Sequence, residues 1–288
     1  MCFKAWSRAQ RRSLRTFYGT KRAWFPILLR TVYNKGVNVH KRLPRGFSAL
    51  LEVGIMFLPA IPAYLWMWPN VQGTTATVAQ LVTYAYILAG TLFIGRRRWS
   101  WDELGLNRKG LGLSLACGIA LLGGRQLVIL SVQWSGRPSD YTPLALLGQV
   151  LYYIGVVGLV EELLFRGLIY RALEEWLSVR WAIWGSTLGF MLWHVFGHGP
   201  LIAAATFVIG LVFALLRWRG GGILGLIVLH GLWDLQAVLL VADSNAQVLS
   251  WGRPEIPHPA WMLVGLALMI LVPVYLWVIH PRISWKRA

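Results

Sequence analysis

The stretch GLVEELLFRGLIYRALEEW, residues 158–176, sets two adjacent carboxylates and an arginine in a run that is otherwise largely apolar. A carboxylate can take up and release a proton, and a guanidinium group can stabilise negative charge. Glu162 and Arg166 are four residues apart, so a helix places them on one face, where they can neutralise each other. Glu161 is turned about 100° away from Glu162 and is free to face other helices.

Two later apolar runs carry further ionisable groups. His194 ends the sequence FMLWH, and His230 and Asp234 begin and end the sequence HGLWD. The four-residue spacing allows Asp234 to orient the His230 imidazole or to bond to it. Ionisable groups inside a membrane are rare and usually functional. A polar cluster that only holds helices together is the alternative interpretation.

The composition places these runs in a membrane. Of the 288 residues, 57% are hydrophobic and 14% are charged, whereas about a quarter of the residues of a soluble protein are charged. A crossing needs about 20 apolar residues. The sequence therefore predicts an all-α fold, a polytopic membrane bundle of about eight transmembrane helices. The predicted helices lie at 49–69, 74–95, 111–133, 143–173, 181–197, 200–216, 222–242 and 260–280.

The basic residues suggest the organisation of the chain. We predict a basic cytoplasmic segment at 1–48, a transmembrane domain at 49–280 with its functional core at 143–242, and a basic cytoplasmic tail at 281–288. With both termini cytoplasmic, 24 of the 28 Lys and Arg residues lie inside, as the positive-inside rule requires. The net charge of +17 then reflects orientation and contact with the lipid bilayer, and we expect no nucleic-acid partner.

Helix geometry brings the ionisable groups to similar depths. Counted from the nearest cytoplasmic basic residue, Glu162 lies about 14 Å deep, His194 about 21 Å and Asp234 about 22 Å. We therefore expect one shared polar site built from three helices. Arg125, in the third apolar run, has no marked partner in the sequence.

A metal site is another possibility. HVFGH, residues 194–198, has the histidine spacing of a zincin helix, but Val195 occupies the position of the general-base glutamate. Two histidines with Glu161 or Asp234 could still ligate zinc in three dimensions. We expect no cofactor, with zinc left open. The Gly-Pro pair after His198 is expected to end that helix.

Taken in order, the three motifs resemble a known family: the CAAX prenyl endopeptidase and bacteriocin-processing (CPBP, Abi) family of intramembrane glutamate proteases, typified by the Ras-converting enzyme. The family pattern is Glu-Glu-x-x-x-Arg, then Phe-x-x-x-His, then His-x-x-x-Asn or Asp. Here it reads EELLFR, FMLWH and HGLWD. The resemblance covers residues 143–242. It implies metal-independent cleavage of a peptide bond near the terminus of a membrane-embedded protein or peptide substrate.

The resemblance also implies roles for individual residues. Glu161 with His194 would activate a water molecule, while Glu162 paired with Arg166 would hold the first helix in place.

His230 with Asp234 would form the oxyanion site. An ionised aspartate accepts hydrogen bonds and donates none. Asp234 is therefore either protonated, or it orients His230 and leaves the imidazole as the donor.

Two other functions are compatible with the residues. A non-catalytic membrane immunity or scaffold protein could keep the same fold. A proton-coupled transporter could use the same groups, because carboxylates and histidines at membrane depth also form proton relays. The expected location is a bacterial inner (plasma) membrane. The substrate stays open among a prenylated C-terminus, a bacteriocin leader and a C-terminal sorting signal.

Overall fold

The computed structural model of the chain describes residues 43–70, 73–131, 142–241 and 259–279. The chain divides after Arg42, and all described residues belong to the second unit. Apart from positions 43–48, the predicted N-terminal segment lies outside the described residues, as does the predicted tail at 281–288. The domain boundaries drawn from the sequence therefore stay predictions.

The described residues form seven helical elements and no strand, which confirms the all-α fold class. In chain order they are α1 (Arg45–Asn70), α2 (Gly73–Arg96), α3 (Leu111–Ser131), α4 (Pro143–Trp176), α5 (Val179–Gly220), α6 (Leu224–Val241) and α7 (Pro259–Val274, followed by a π turn at Tyr275–Ile279).

Four of these elements are long and apolar enough to cross a membrane, and α6 contains a shorter apolar stretch. The four stretches are Gly73–Arg96, Leu111–Ile129, Pro143–Trp176 and Ala260–Val278. Large apolar side chains such as Ile119, Leu144 and Val278 are exposed on these helices, as lipid-facing residues are. The chain is thus an integral membrane protein. The predicted number of eight crossings is not confirmed, although each predicted run overlaps a helix of the described residues.

Element α5 contains both the fifth and the sixth predicted runs. No non-helical residue separates the two runs at the Gly-Pro pair after His198, although Pro200 has no N–H to donate to a helical hydrogen bond. The chain nevertheless reverses. In a straight helix Trp184 and Phe207 would lie about 35 Å apart, yet their rings stack with centroids 6.3 Å apart. Element α5 is therefore a helical hairpin whose two arms pack together.

Element α4 departs from regular α-helical geometry. Thr142 caps its start, accepting a hydrogen bond from the Ala145 amide at 3.3 Å. Further along, π-helical stretches at Leu151–Gly158 and Leu163–Ile169 enclose the α-helical turn Leu159–Glu162. Such π segments are rare and concentrate at functional sites, because the wider turn redirects side chains. The two adjacent carboxylates end this enclosed turn.

Close backbone packing joins α6 to α4. A Cβ atom at Gly158 would lie 2.6 Å from the Ile227 carbonyl oxygen, and one at Gly231 would lie 2.6 Å from the Cα of Ile154. No larger residue fits at either position, as is common where membrane helices touch. The contact brings His230 against the acidic turn of α4.

The loop between α2 and α3 packs against the end of α5. Arg217, at that end, donates to the carbonyl oxygens of Glu103 at 2.8 Å and Arg166 at 3.1 Å. Its side chain is buried rather than placed at a lipid interface. Backbone carbonyls of the loop and of α4 take the place of water around this cation.

Charged side chains also gather where α1 begins and where α2 and α4 end. Arg45 donates through two nitrogens to Glu175, each at 2.9 Å, and Arg98 pairs with Glu52. We call this surface, built around Arg45, Glu52, Arg98 and Glu175, the basic end of the bundle.

Candidate active site

Glu161 is buried in the α-helical turn of α4. Its Oε1 accepts hydrogen bonds from the Tyr84 hydroxyl at 2.8 Å and from the Trp193 indole N–H at 3.1 Å. Its Oε2 has no hydrogen-bond partner among the described residues. One oxygen is therefore fixed by two donors from other helices, and the second is directed at the interior of the site.

Two imidazoles face this second oxygen. Glu161 Oε2 lies 3.9 Å from His194 Nε2 and 3.7 Å from His230 Nε2. Both separations are too long for a direct hydrogen bond. His194 Nδ1 lies 2.9 Å from the Phe190 carbonyl oxygen, which accepts the Nδ1 hydrogen. A neutral His194 therefore presents a lone pair at Nε2, beside the Glu161 carboxylate.

Glu162 and Arg166 form a fully buried ion pair. Nη1 of Arg166 lies 2.9 Å from Glu162 Oε1, and both side chains are 0% exposed. Nη2 of Arg166 donates to the Gly210 carbonyl at 2.9 Å, and the guanidinium lies 4.2 Å from the centroid of the Phe190 ring. The contact expected from the four-residue spacing is present. Through Gly210 and Phe190, Arg166 also links α4 to both arms of α5.

His230 connects all three carboxylates. Its Nδ1 lies 2.8 Å from Glu162 Oε1, while its Nε2 lies 3.4 Å from Asp234 Oδ2 and 3.7 Å from Glu161 Oε2. The sequence predicted the contact with Asp234 but not the bond to Glu162. Since Nδ1 donates to Glu162, Nε2 can donate a hydrogen bond only when the imidazole is positively charged. The Asp234 side chain remains 31% exposed.

Aromatic rings enclose the imidazoles. The Phe190 ring lies 4.6 Å from the His194 ring and 5.6 Å from the His230 ring, and Phe213 lies 5.7 Å from His230. An apolar wall excludes water and strengthens the electrostatic interactions inside it. Phe190 is the first residue of the FMLWH motif, and its contact with both imidazoles gives that position a physical reason.

The structure thus brings together all six predicted site residues, whose catalytic roles stay predictions: Glu161, Glu162, Arg166, His194, His230 and Asp234. Among the described residues Arg125 makes no ion pair with these six, and its guanidinium contacts Trp233, the residue before Asp234. The His198 side chain lies outside the described residues.

Two site residues, Tyr84 and Trp193, were not predicted. Tyr84 lies on α2, where no motif marks it, and the only sequence signal is a hydroxyl inside an apolar run. Trp193 precedes His194 in FMLWH, and a buried indole N–H needs an acceptor. Contacts between separate helices supply that acceptor, so periodicity along one helix could not reveal it.

In the part of the chain that the structure describes, no group of three or more His, Cys, Asp and Glu side chains is arranged to hold a metal ion. The zinc alternative gains no support from this part of the chain.

Residues 143–236 match the model of one protein family, described as type II CAAX prenyl endopeptidase Rce1-like. The match spans about a third of the chain and contains all six predicted site residues. Neither the curated proteins nor the solved structures gave a match.

Proposed function

The chain belongs, through residues 143–236, to this Rce1-like family of type II CAAX prenyl endopeptidases, and we propose that it is an intramembrane glutamate endopeptidase. Its reaction is hydrolysis of a peptide bond near the terminus of a membrane-associated protein or peptide. The environment of Glu161 carries this proposal. Two donors hold its Oε1, while its Oε2 faces imidazole nitrogens at 3.7 and 3.9 Å.

The first step of the proposed reaction is the activation of water. A water molecule donates to Glu161 Oε2 and to the lone pair of His194 Nε2. Its oxygen attacks the carbonyl carbon of the scissile bond while its proton passes to Glu161, which acts as the general base. The product of this step is a tetrahedral intermediate with a negatively charged oxygen.

The second step is the collapse of that intermediate. The proton held by Glu161 passes to the leaving nitrogen, the carbon–nitrogen bond breaks, and a carboxylic acid and an amine are released. No metal or other cofactor takes part in this proposal.

His230 is the proposed donor to the charged oxygen. Glu162 fixes the ring through Nδ1, so a positively charged His230 directs its Nε2 hydrogen toward the site. Hydrogen-bond donors fixed in advance where negative charge develops make the largest single contribution to the rate enhancement in many hydrolases. Asp234, 3.4 Å from Nε2, orients the ring from the other side.

The proposed orientation and partners follow from charge and chemistry. With both termini in the cytoplasm, most basic residues lie on that side, as the positive-inside rule requires. The proposed partners are the lipid bilayer and a membrane-embedded peptide or protein. A bacterial inner membrane is the proposed location.

The direct test compares peptide termini in native membranes. Wild type, Glu161→Gln and His194→Ala are expressed in the host, and the termini of its small membrane and secreted proteins are compared by mass spectrometry. A cleaved terminus is expected with wild type and should be lost in both variants. Glu174→Gln changes a carboxylate of the same helix that pairs with Arg171, and it should keep the cleavage. Cleavage by purified wild type in the presence of a metal chelator tests metal independence.

The opposite result favours a different function. Identical termini from wild type and both site variants, with all proteins stably folded, would support the immunity or scaffold alternative. Uptake of a solute into vesicles that requires a proton gradient would instead support the transporter.

A further inference from the structure

Arg125 is an intramembrane cation outside the cluster described above. It lies on α3 within Leu111–Ile129, a stretch apolar and long enough to cross a membrane. An ionised side chain at such depth is costly and usually functional. The proposed water activation and oxyanion stabilisation make no use of it.

Trp233, on α6, contacts the Arg125 guanidinium. Nη1 donates to the Trp233 carbonyl oxygen at 2.5 Å, and the guanidinium carbon lies 4.4 Å from the centroid of the Trp233 ring. A guanidinium carries five N–H hydrogens, and this bond uses one of them. Among the residues that the structure describes, no carboxylate lies within ion-pair distance of Arg125.

The Trp233 contact places Arg125 beside the proposed reaction centre. Trp233 directly precedes Asp234, whose carboxylate lies 3.4 Å from His230 Nε2. The carbonyl that Arg125 binds is therefore about one helical turn from the imidazole that contacts the reacting atoms.

The charges of the site make the position of Arg125 selective for an anionic group. Three carboxylates, those of Glu161, Glu162 and Asp234, repel an anionic group that enters the site. The guanidinium of Arg166 is fully enclosed and bonded within the protein, at 0% exposure. Arg125 is only partly buried, so an anion next to the site can reach its remaining N–H groups.

We propose that Arg125 binds the terminal main-chain carboxylate of the substrate. The planar guanidinium fork matches a carboxylate with two parallel hydrogen bonds, and arginine is the usual residue for this recognition. Because the carbonyl that Arg125 binds lies about one helical turn from His230, a carboxylate held at Arg125 would lie a few extended residues from the scissile bond. The inference rests on the proposed peptidase function and assigns Arg125 as the residue that positions the C-terminus of the substrate.

Peptide binding without turnover tests this inference. The protein carries Glu161→Gln and is held in lipid nanodiscs. The probes are a fluorescent farnesylated peptide ending in Cys, two aliphatic residues and Met, and the same peptide with a C-terminal carboxamide. The carboxylate form should bind about tenfold more tightly, because the carboxamide lacks the charge-assisted hydrogen bonds. Adding Arg125→Gln should bring the ratio of affinities to about one by weakening the carboxylate form alone. Arg125→Lys, which keeps the charge without the fork, should retain part of the preference.

Arg96 provides a matched control, since it makes the same kinds of contact outside the site. It donates to the Trp99 carbonyl at 3.0 Å and lies 4.2 Å from the Trp101 ring, and Arg96→Gln should leave the ratio unchanged. Unaltered binding of the carboxamide shows that each variant is folded.

Three results would overturn the carboxylate site: equal affinities with Arg125 intact, no binding of either peptide, or a preference that survives Arg125→Gln. A protein that prefers the carboxylate but never cleaves a peptide when Glu161 is present would instead refute the peptidase function.

Discussion

The pairs Arg166–Glu162 and Arg45–Glu175 have the same nitrogen–oxygen distance, 2.9 Å, but lie in opposite surroundings. Both side chains of the first pair are 0% exposed, whereas those of the second, at the basic end, are 48% and 26% exposed. Water can solvate either partner of an exposed pair, which therefore stabilises a protein by about 0 to 1 kcal/mol. Removing one partner of a buried pair leaves a desolvated charge and costs about 3 to 5 kcal/mol.

The difference shows how burial converts ordinary residues into a site. Glu161 Oε2 and Glu162 Oε2 are buried carboxylate oxygens without a hydrogen-bond partner in the described residues. Such atoms are rare in proteins, because each one loses its hydration without compensation. At the basic end, water would satisfy them. In the buried cluster, an unsatisfied Glu161 oxygen is available to a reacting molecule.

The largest expected effect tests the contrast between the two ion pairs. Arg166→Met removes the charge and keeps an apolar side chain, so Glu162 stays buried without its partner. The free energy of unfolding should fall by about 3 to 5 kcal/mol, while Arg45→Met should lower it by at most about 1 kcal/mol. Unfolding of both variants in detergent micelles, followed by circular dichroism, measures these losses.

Arg166→Lys retains the charge, and its free energy of unfolding should lie between those of wild type and Arg166→Met. Equal losses from Arg166→Met and Arg45→Met would mean that burial does not distinguish the two pairs.

An intermediate effect concerns the fixed oxygen of Glu161. Tyr84→Phe removes the hydroxyl that donates to it, and kcat of the proposed hydrolysis should fall about tenfold or more, the value of one hydrogen bond to a charged group. KM should change little, because Tyr84 acts through Glu161. Steady-state kinetics on a peptide identified in the proteomic comparison measures both constants.

Tyr86 is the control for this substitution. It lies on the same helix and donates to the Met56 carbonyl at 2.9 Å, so Tyr86→Phe also loses one hydrogen bond. Its kcat should stay near that of wild type. A rise in KM with unchanged kcat for Tyr84→Phe would show that Tyr84 contacts the substrate and does not position Glu161.

The smallest expected effect is a pH dependence at Glu103, in the loop after α2. The Ser100 backbone N–H, which donates to the Glu103 carboxylate at 2.8 Å, holds the pKa of Glu103 below its ordinary value. The ionised Glu103 carboxylate therefore stabilises the folded protein fully above its unfolded-state pKa, about 4.3. This stabilisation is lost as the pH falls through the lower folded-state pKa. Glu103→Gln should lower the Tm at pH 7, by an amount corresponding to less than about 1 kcal/mol.

The Tm difference between wild type and Glu103→Gln should shrink as the pH is lowered from 7 to 3. Thermal unfolding across that range measures this difference in Tm. A constant difference would show that ionisation of Glu103 does not contribute to stability.

Several features were predictable from the sequence because they depend on local geometry. The length of the apolar runs predicted the helices and the all-α class. Four-residue spacing predicted the contacts Glu162–Arg166 and His230–Asp234, both present. The order of three motifs predicted the family that the model of residues 143–236 matches.

The remaining features were decided by the tertiary structure. Periodicity places a residue on one face of its own helix, but it does not determine which neighbouring helix that face contacts. The bond from His230 to Glu162 depends on the close approach of α4 and α6 at two glycines, Gly158 and Gly231. Tyr84 reaches Glu161 from a helix without any motif. Sequence thus determined the chemical groups and their spacing along each helix, while packing between helices decided which groups meet.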